Sequence, residues 1–234
     1  MSQLQLDKPA VPTVFDRVAG RYDLMCRLNP GYQGMLSDAA RALMPPAPAR
    51  LLDLCCGTGL STRALRRAHP QAGIQALDGS AGMLEVAQRK RLGAVRWLRG
   101  DAHDPAAAGV EAPLDGLLMA YGLRNLSAPD LCLQNLLRLL RPGGQLALHD
   151  YSLAGAGSER LWRLACRTIV RPLCSALSGA PELFDYLEES VLEFDRRDAL
   201  AARLEANGFR VLRVIPGRGW QRGIVHTFVA RRPA

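Results

Sequence analysis

Residues 50–59 read Arg-Leu-Leu-Asp53-Leu-Cys-Cys-Gly57-Thr-Gly59: an apolar run, an aspartate near its end, then a turn with two glycines. That is the pattern of a β-strand feeding a tight turn. The aspartate is the first of five polar residues at a near-constant interval. Asp53, Asp78, Asp101, Arg124 and Asp150 are separated by gaps of 25, 23, 23 and 26 residues. Each stands at or just past the end of an apolar run, at residues 49–52, 74–77, 95–98, 114–120 and 145–148. A strand, a turn, a helix and a second turn take about that many residues, so the interval is the beat of a repeated β-α unit. In an open parallel α/β sheet the carboxyl ends of the strands line one edge, and ligands bind there. The sequence therefore predicts carboxylates, one guanidinium and a glycine-rich turn along a single crevice.

Working outward, residues 11–44 have helical spacing, with Phe15, Val18, Ala19, Tyr22 and Met25 on one stripe. The prolines at 45, 46 and 48 then break the pattern. Helices are predicted at 61–68, at 81–91 behind Ser80 as N-cap, at 129–140 before the stop Arg-Pro-Gly-Gly144, and at 197–207 before Gly208. Residues 104–111 are rich in Ala and Gly and read as a loop. After Asp150 the beat changes, and a helical insertion over 158–177 precedes the next unit. Strands at 209–215 and 223–230 flank a glycine-rich turn and predict an edge hairpin with one antiparallel strand. The expected organisation is an N-terminal helical segment over 1–48 and an α/β domain over 49–234, with an insertion at 155–195.

The chain has 234 residues, 48% hydrophobic and 22% charged, enough for one α/β domain with a full core. No apolar run approaches the ~20 residues of a membrane span. Residues 1–12 are polar and lack the apolar stretch of a signal peptide, so a cytoplasmic location is expected. The six cysteines include no C-x-x-C pair and lie in apolar surroundings, as reduced thiols do. Cys55 and Cys56 are adjacent at a tight turn, which suits zinc poorly, and no metal site is expected. Net charge is +8. It fits either plain solubility or attraction to an anionic surface. No aromatic-interleaved basic run accompanies it, so nucleic acid is not an expected partner.

The turn at 53–59 specifies the ligand further. Gly57 and Gly59 allow close approach of backbone to a ligand. A dinucleotide fingerprint needs a third glycine, and Thr62 stands in its place. Such a turn suits a ligand without phosphates. Asp78, 19 residues beyond Gly59, is placed to accept from both hydroxyls of a ribose. Asp101, in Gly-Asp101-Ala102, is placed to accept from an adenine amino group. Each aspartate alone could equally be a helix N-cap. Together, in register with the glycines, they describe an adenosine site, and S-adenosylmethionine fits that description.

The chain at this point resembles the ubiquinone/menaquinone biosynthesis C-methyltransferases. The stretches that carry the resemblance begin at Phe15 (Phe-Asp-Arg-Val-Ala-Gly-Arg-Tyr22-Asp-Leu-Met), Leu52 (Leu-Asp-Leu-Cys-Cys-Gly-Thr-Gly) and Asp78 (Asp-Gly-Ser80, then Met83-Leu). Three more begin at Tyr121 (Tyr-Gly-Leu-Arg124-Asn125), Leu140 (Leu-Arg-Pro-Gly-Gly) and Tyr186 (Tyr-Leu-Glu-Glu-Ser190). They cover about residues 11–215 in order. The resemblance implies a class I methyltransferase fold: a Rossmann-like, seven-stranded, mostly parallel sheet with helices on both faces and an antiparallel edge hairpin. It implies S-adenosylmethionine as cofactor, with Thr62, Asp78, Asp101 and Ala102 as contacts. Asp53, Gly57, Gly59, Ser80, Met83 and Ala120 complete the candidate cofactor set. The chain departs from the family pattern at Cys26, at residues 29–33, at Ala120-Tyr121, beyond His103 and over the tail 219–228. Most of these departures are expected on the acceptor side; they leave the cofactor expectation intact and bear on which acceptor is used.

The implied acceptor is a small hydrophobic aromatic molecule. A phenolic ring attacks through carbon best as phenolate, and a neighbouring guanidinium favours that anion. Arg124 ends the fourth strand beside the expected methyl donor, and Asn125 adds hydrogen bonds. The alternative for Arg124 is a structural ion pair with Asp150 or another carboxylate. A guanidinium cannot serve as the base, so Tyr22, Tyr121 and His226 are the candidates beside water. For His226, inside a strand pattern, an ordinary core position is the competing reading.

Arg160, Arg163, Arg167 and Arg171 form a narrow helical stripe, with Leu161, Trp162, Ala165, Cys166, Ile169 and Leu173 on the other side. This basic amphipathic helix over 158–177 is either a lid on its own domain or a peripheral contact with an anionic bilayer. A methyltransferase acting on a hydrophobic phenol or quinol is the leading functional expectation. The alternatives are an O- or N-methyltransferase of a small aromatic metabolite, a phospholipid N-methyltransferase, and a non-catalytic subunit that uses the fold to bind partners. A homodimer is compatible with all of them.

Overall fold

The computed structural model describes residues 11–172 and 182–234. Seven strands form one sheet: β1 (Arg50–Leu54), β2 (Gly73–Asp78), β3 (Val95–Arg99), β4 (Leu114–Ala120), β5 (Leu140–Tyr151), β6 (Arg210–Pro216) and β7 (Val225–Arg231). Their order across the sheet is β3-β2-β1-β4-β5-β7-β6. The first five strands pair in parallel, and β7 runs antiparallel between β5 and β6. The central strands β1, β4 and β5 are buried along nearly their whole length. That burial explains their unbroken apolar runs, since helices cover both faces of a parallel sheet.

The helices are α1 (Val11–Arg27), α2 (Tyr32–Ala42), α3 (Leu60–Ala68), α4 (Ala81–Arg89), α5 (Pro129–Leu139), α6 (Ala156–Ala165), α7 (Glu182–Glu193) and α8 (Arg197–Ala206). One core layer joins α2, α3 and α6 to the sheet, and the opposite layer joins α5 and α8. Strand order reverses between β1 and β4. Their carboxyl ends therefore part at a topological switch point, which is where this architecture binds ligands.

The N-terminal helical stretch is two helices. Pro30 and Gly31, which has φ +88°, break it, because the proline withholds an N–H and the glycine takes a left-handed turn. Helix α1 lies across α4 and is pinned to the cofactor side by two aspartates. Asp16 accepts from the Ser80 hydroxyl at 2.5 Å and the Gly82 N–H at 2.8 Å. Asp23 accepts from the Thr58 hydroxyl at 2.6 Å and pairs with Lys90 at 2.6 Å. Ser80 caps α4 as expected, accepting from the Met83 N–H at 3.0 Å.

The predicted insertion helix begins at Ala156 and passes through a π-helical turn at Cys166–Val170. Leu173, Cys174 and the rest of its predicted course through 177 lie outside the described residues. Its apolar side is not wholly covered. Trp162, Ala165 and Cys166 are buried, whereas Leu161, Leu164 and Ile169 are exposed beside the arginines. Among the described residues no helix is long and apolar enough to cross a membrane, and no cluster of His, Cys, Asp and Glu could hold a metal ion.

Candidate active site

Two cavities meet at the carboxyl ends of β1 and β4. The first, about 480 Å³, is lined by Cys55, Gly57, Asp78, Met83, Asp101, Ala102, His103, Ala120 and Asn125. The second, about 340 Å³, is lined by Met25, Cys26, Arg124, Trp162, Trp220 and all five tyrosines of the chain: Tyr22, Tyr32, Tyr121, Tyr151 and Tyr186. Phe15, Tyr22 and Tyr121 line both cavities and form the wall between them.

The turn after β1 shapes the first cavity. Gly57 and Gly59 have φ +52° and +80°, as the sequence required, and Cys55 is left-handed at +57°. A side chain at Gly59 would also meet Ala87 and Trp97 at 3.2 Å, so its glycine is needed for packing as well. Asp78 ends β2 with its carboxylate on the cavity. Its Oδ2 accepts from the Gly57 N–H at 2.7 Å and its Oδ1 from the Ser80 N–H at 2.9 Å. Burial raises its pKa above the usual carboxylate range despite these bonds. Asp101 is more open. Slight burial opposes its ionisation, but the His103 backbone and ring donate to it and hold its pKa below the usual value.

The lining suits adenosine. Among the described residues it carries two carboxylates and neither lysine nor arginine, so these offer acceptors for ribose and adenine and no cation for a phosphate. S-adenosylmethionine matches those donor and acceptor groups. Asp78, Asp101, Gly57, Ala102, Met83 and Ala120 are the expected cofactor residues on the cavity wall. Asp53, Thr62, Gly59 and Ser80 are not on it. Asp53 is fully buried behind the turn, where its Oδ2 accepts from the hydroxyls of Ser61 at 2.7 Å and Thr62 at 2.6 Å. Burial, partly opposed by those bonds, pushes its carboxyl up to about 7. Asp53 and Thr62 thus brace the turn. Asp53 pairs with Ala76, two residues before Asp78, so it sits deeper along the sheet on the same face, a distinction the end-of-run position could not reveal.

Arg124 lies on the short 3₁₀ turn Leu123–Asn125 after β4 and is 6% exposed. Its Nη1 donates to the Tyr121 carbonyl at 2.8 Å and reaches Asp150 Oδ1 at 3.4 Å. Its guanidinium lies 5.2 Å from the Tyr151 ring centre. The two readings of Arg124 therefore coexist: it pairs with Asp150 and, among the described residues, is the only charged one lining the second cavity. Asn125 donates to the Tyr121 carbonyl at 3.1 Å and accepts from the Tyr186 hydroxyl at 3.1 Å.

The candidate bases separate. Burial raises the pKa of Tyr22 and Tyr121 well above 10, so both stay protonated and act as donors at neutral pH. His226 is a correction to the sequence reading. It is buried on β7, takes a hydrogen bond at 2.9 Å with Ser152, and lines neither cavity. Tyr32, Tyr151, Trp162, Tyr186 and His103 were not anticipated. Tyr151 and His103 carried a signal as near neighbours of Asp150 and Asp101, Tyr186 as the start of a stretch shared with the resembled family, and Trp162 on the apolar side of the insertion helix.

The sequence profile of the ubiE/COQ5 methyltransferase family matches residues 2–229. The demethylmenaquinone methyltransferase of Beutenbergia cavernae is 35% identical over 216 residues, covering 90% of this chain and 88% of that protein. The ubiquinone/menaquinone biosynthesis C-methyltransferase UbiE of Rubrivivax gelatinosus is 31% identical over 202 residues, covering 86% and 79%. Among solved structures, the cyclase SpnF superposes with a TM-score of 0.70 at 17% identity, covering 96% of this chain and 95% of that one. A SAM-dependent methyltransferase from Aquifex aeolicus superposes at 0.61 with 18% identity, covering 90% and 97%. At such identities the two structures speak for the fold alone.

Proposed function

The chain belongs to the ubiE/COQ5 methyltransferase family, and on that footing we propose that it methylates a ring carbon of a hydrophobic phenol or quinol of the menaquinone or ubiquinone precursor type. One observation carries the proposal: an aromatic cavity with a single guanidinium opens onto an adenosine-type cavity through a shared wall of Phe15, Tyr22 and Tyr121. When bound, S-adenosylmethionine supplies an electrophilic methyl group. The residues of the chain do the rest. The tyrosines and Trp162 hold a planar ring and exclude water. Arg124 favours the phenolate, and the wall residues align the two ligands. The tyrosines stay protonated and Asp150 is buried against Arg124, so the released proton leaves to water through the mouth of the cavity. The names of the curated relatives support a demethylmenaquinone-type acceptor.

The test uses the purified protein, S-adenosylmethionine with a deuterated methyl group and reduced demethylmenaquinone. The product should carry the label on a ring carbon by NMR. Label on oxygen would replace the reading with O-methylation, and absence of transfer would overturn it.

A lipid-tailed acceptor lies in a bilayer, and the surface around the mouth suits one. Leu28 and Ile169 line the second cavity and are also exposed. Leu24, Leu28, Leu161, Leu164 and Ile169 are five of the eight large apolar side chains exposed among the described residues. The insertion helix that carries three of them also carries Arg160, Arg163, Arg167 and Arg171. Arg163 pairs with Glu159 and Arg171 with Asp185, whereas Arg160 and Arg167 are exposed and form no ion pair among the described residues. The proposed partner of this surface is an anionic bilayer. Reversing Arg160 and Arg167 to Glu should weaken sedimentation with phosphatidylglycerol vesicles, and the difference should shrink in high salt. A wild type that ignores such vesicles at low salt would leave the helix as a lid alone.

A further inference from the structure

Tyr121 is the hub of the site, and its setting is unusual. It follows β4 in the left-handed region, at φ +58°, a conformation costly for an aromatic residue. Its carbonyl accepts from both Arg124 Nη1 and Asn125 Nδ2, so its backbone twist sets the direction of both side chains. Its ring is part of the wall between the cavities and stacks on Tyr32 at 5.2 Å. Its hydroxyl turns inward and meets His149 Nε2 at 3.0 Å. The other ring nitrogen of His149 meets the Thr227 hydroxyl at 2.7 Å. His149 is 1% exposed and lies on β5, opposite Thr227 on β7.

We infer that His149 is a positioning residue of the methyl-transfer site, acting through Tyr121 on Arg124 and Asn125. The inference rests on the methyl-transfer reading and goes beyond it. The backbone of Tyr121 is held at two points on the same residue. Its N–H donates to the His149 carbonyl at 2.7 Å, and its hydroxyl is held by the His149 ring. Without the second tether nothing holds the ring from inside, since either the buried hydroxyl or the His149 nitrogen is left unpaired, and the ring is free to turn toward the cavity. The backbone would then relax out of the left-handed region, and the carbonyl that aims Arg124 and Asn125 would swing away.

The chemistry of His149 suits an anchor. Burial, with His226 nearby, pushes its imidazole down to about 3, so the ring is neutral at working pH. A neutral imidazole donates with one nitrogen and accepts with the other, and the hydroxyls of Thr227 and Tyr121 satisfy either tautomer. The same sheet holds a contrasting case. His226 is also buried and hydrogen-bonded, to Ser152, yet lines neither cavity.

The test compares Tyr121→Phe, His149→Leu, His149→Gln and Ser152→Ala by steady-state kinetics, with crystal structures of the first two. Tyr121→Phe and His149→Leu should each lower kcat about tenfold, with KM and S-adenosylmethionine affinity within threefold. The double variant should be no worse than either single one, because both remove one tether. The amide of His149→Gln reaches about as far as Nε2 and should restore most of the rate. Ser152→Ala, which breaks the other buried histidine bond, should leave kcat unchanged. The crystal structures should show Arg124 displaced from the Tyr121 carbonyl. Unchanged kcat in Tyr121→Phe, equal loss in Ser152→Ala, or Arg124 still bonded to that carbonyl in both structures would overturn the inference. A wild type inactive on phenols and quinols would sink the methyl-transfer reading, and the position of Arg124 in the variants would still decide this one.

Discussion

Arg124→Met is expected to lower methyl transfer about a thousandfold while S-adenosylmethionine affinity stays within a few-fold. Among the described residues Arg124 is the only charged one lining the aromatic cavity, and the lining of the other cavity does not include it. A phenol with a pKa of about 10 is only ~0.1% ionised at pH 7, a penalty of roughly 4 kcal/mol. A guanidinium beside the ring removes much of that penalty, and losing it costs about three powers of ten in rate. The loss should ease at high pH, where the acceptor ionises unaided. The ion pair with Asp150 makes a control necessary. Methionine strands a fully buried carboxylate, which is destabilising in its own right. The double variant Arg124→Met/Asp150→Asn removes that charge. If its turnover is still a thousandfold down, the cation is what the reaction lacks. Recovery of turnover there, or near-normal turnover in Arg124→Met at pH 7, would rule out the phenolate role.

Asp78→Ala is expected to weaken S-adenosylmethionine binding at least tenfold with the fold retained. Two effects add. The carboxylate is placed to accept from ribose hydroxyls, and charge-assisted bonds of that kind are worth about 1.5–3 kcal/mol each. It also accepts from the Gly57 N–H, so its loss loosens the turn that forms the cavity floor. Asp78→Asn keeps one acceptor oxygen and should fall between the wild type and alanine. Calorimetry showing unchanged affinity for Asp78→Ala would remove the ribose assignment. NADH bound as tightly as S-adenosylmethionine would remove the cofactor choice.

The expected outcomes divide along the line between local and long-range information. The seven strands, the glycine turn, the Ser80 cap and the strand-end residues Asp78, Asp101 and Arg124 were legible in the sequence. Each depends on hydrophobic runs and turn chemistry within one β-α unit, and topology places the ends of parallel strands on one edge. The first cavity takes Gly57, Asp78, Asp101 and Ala120 from such strand ends, so that part of it could be read ahead of the fold, whereas the α1 residues Pro12, Phe15 and Tyr22 reach it only through packing.

Of the acceptor cavity only Tyr22, Tyr121 and Arg124 were named as site residues from the sequence. Its tyrosines lie at 22, 32, 121, 151 and 186, on separate elements with no shared period, and only packing brings them together. Local pattern also does not say how deep, or on which face, a strand residue lies. Asp53 ends its apolar run as Asp78 does, yet it sits deeper along the sheet and braces the turn from behind, while Asp78 borders the cavity. The two strand histidines show the same limit. In the β5–β7 register His149 stands opposite Thr227 and His226 opposite Asp150. Successive side chains on a strand point to opposite faces. The sequence by itself determined that this chain is an α/β methyltransferase with a glycine turn and carboxylates at one edge of the sheet. Which histidine meets Tyr121, and which aromatic rings enclose the acceptor, was decided by tertiary register, because a shift of one residue exchanges the two faces of a strand.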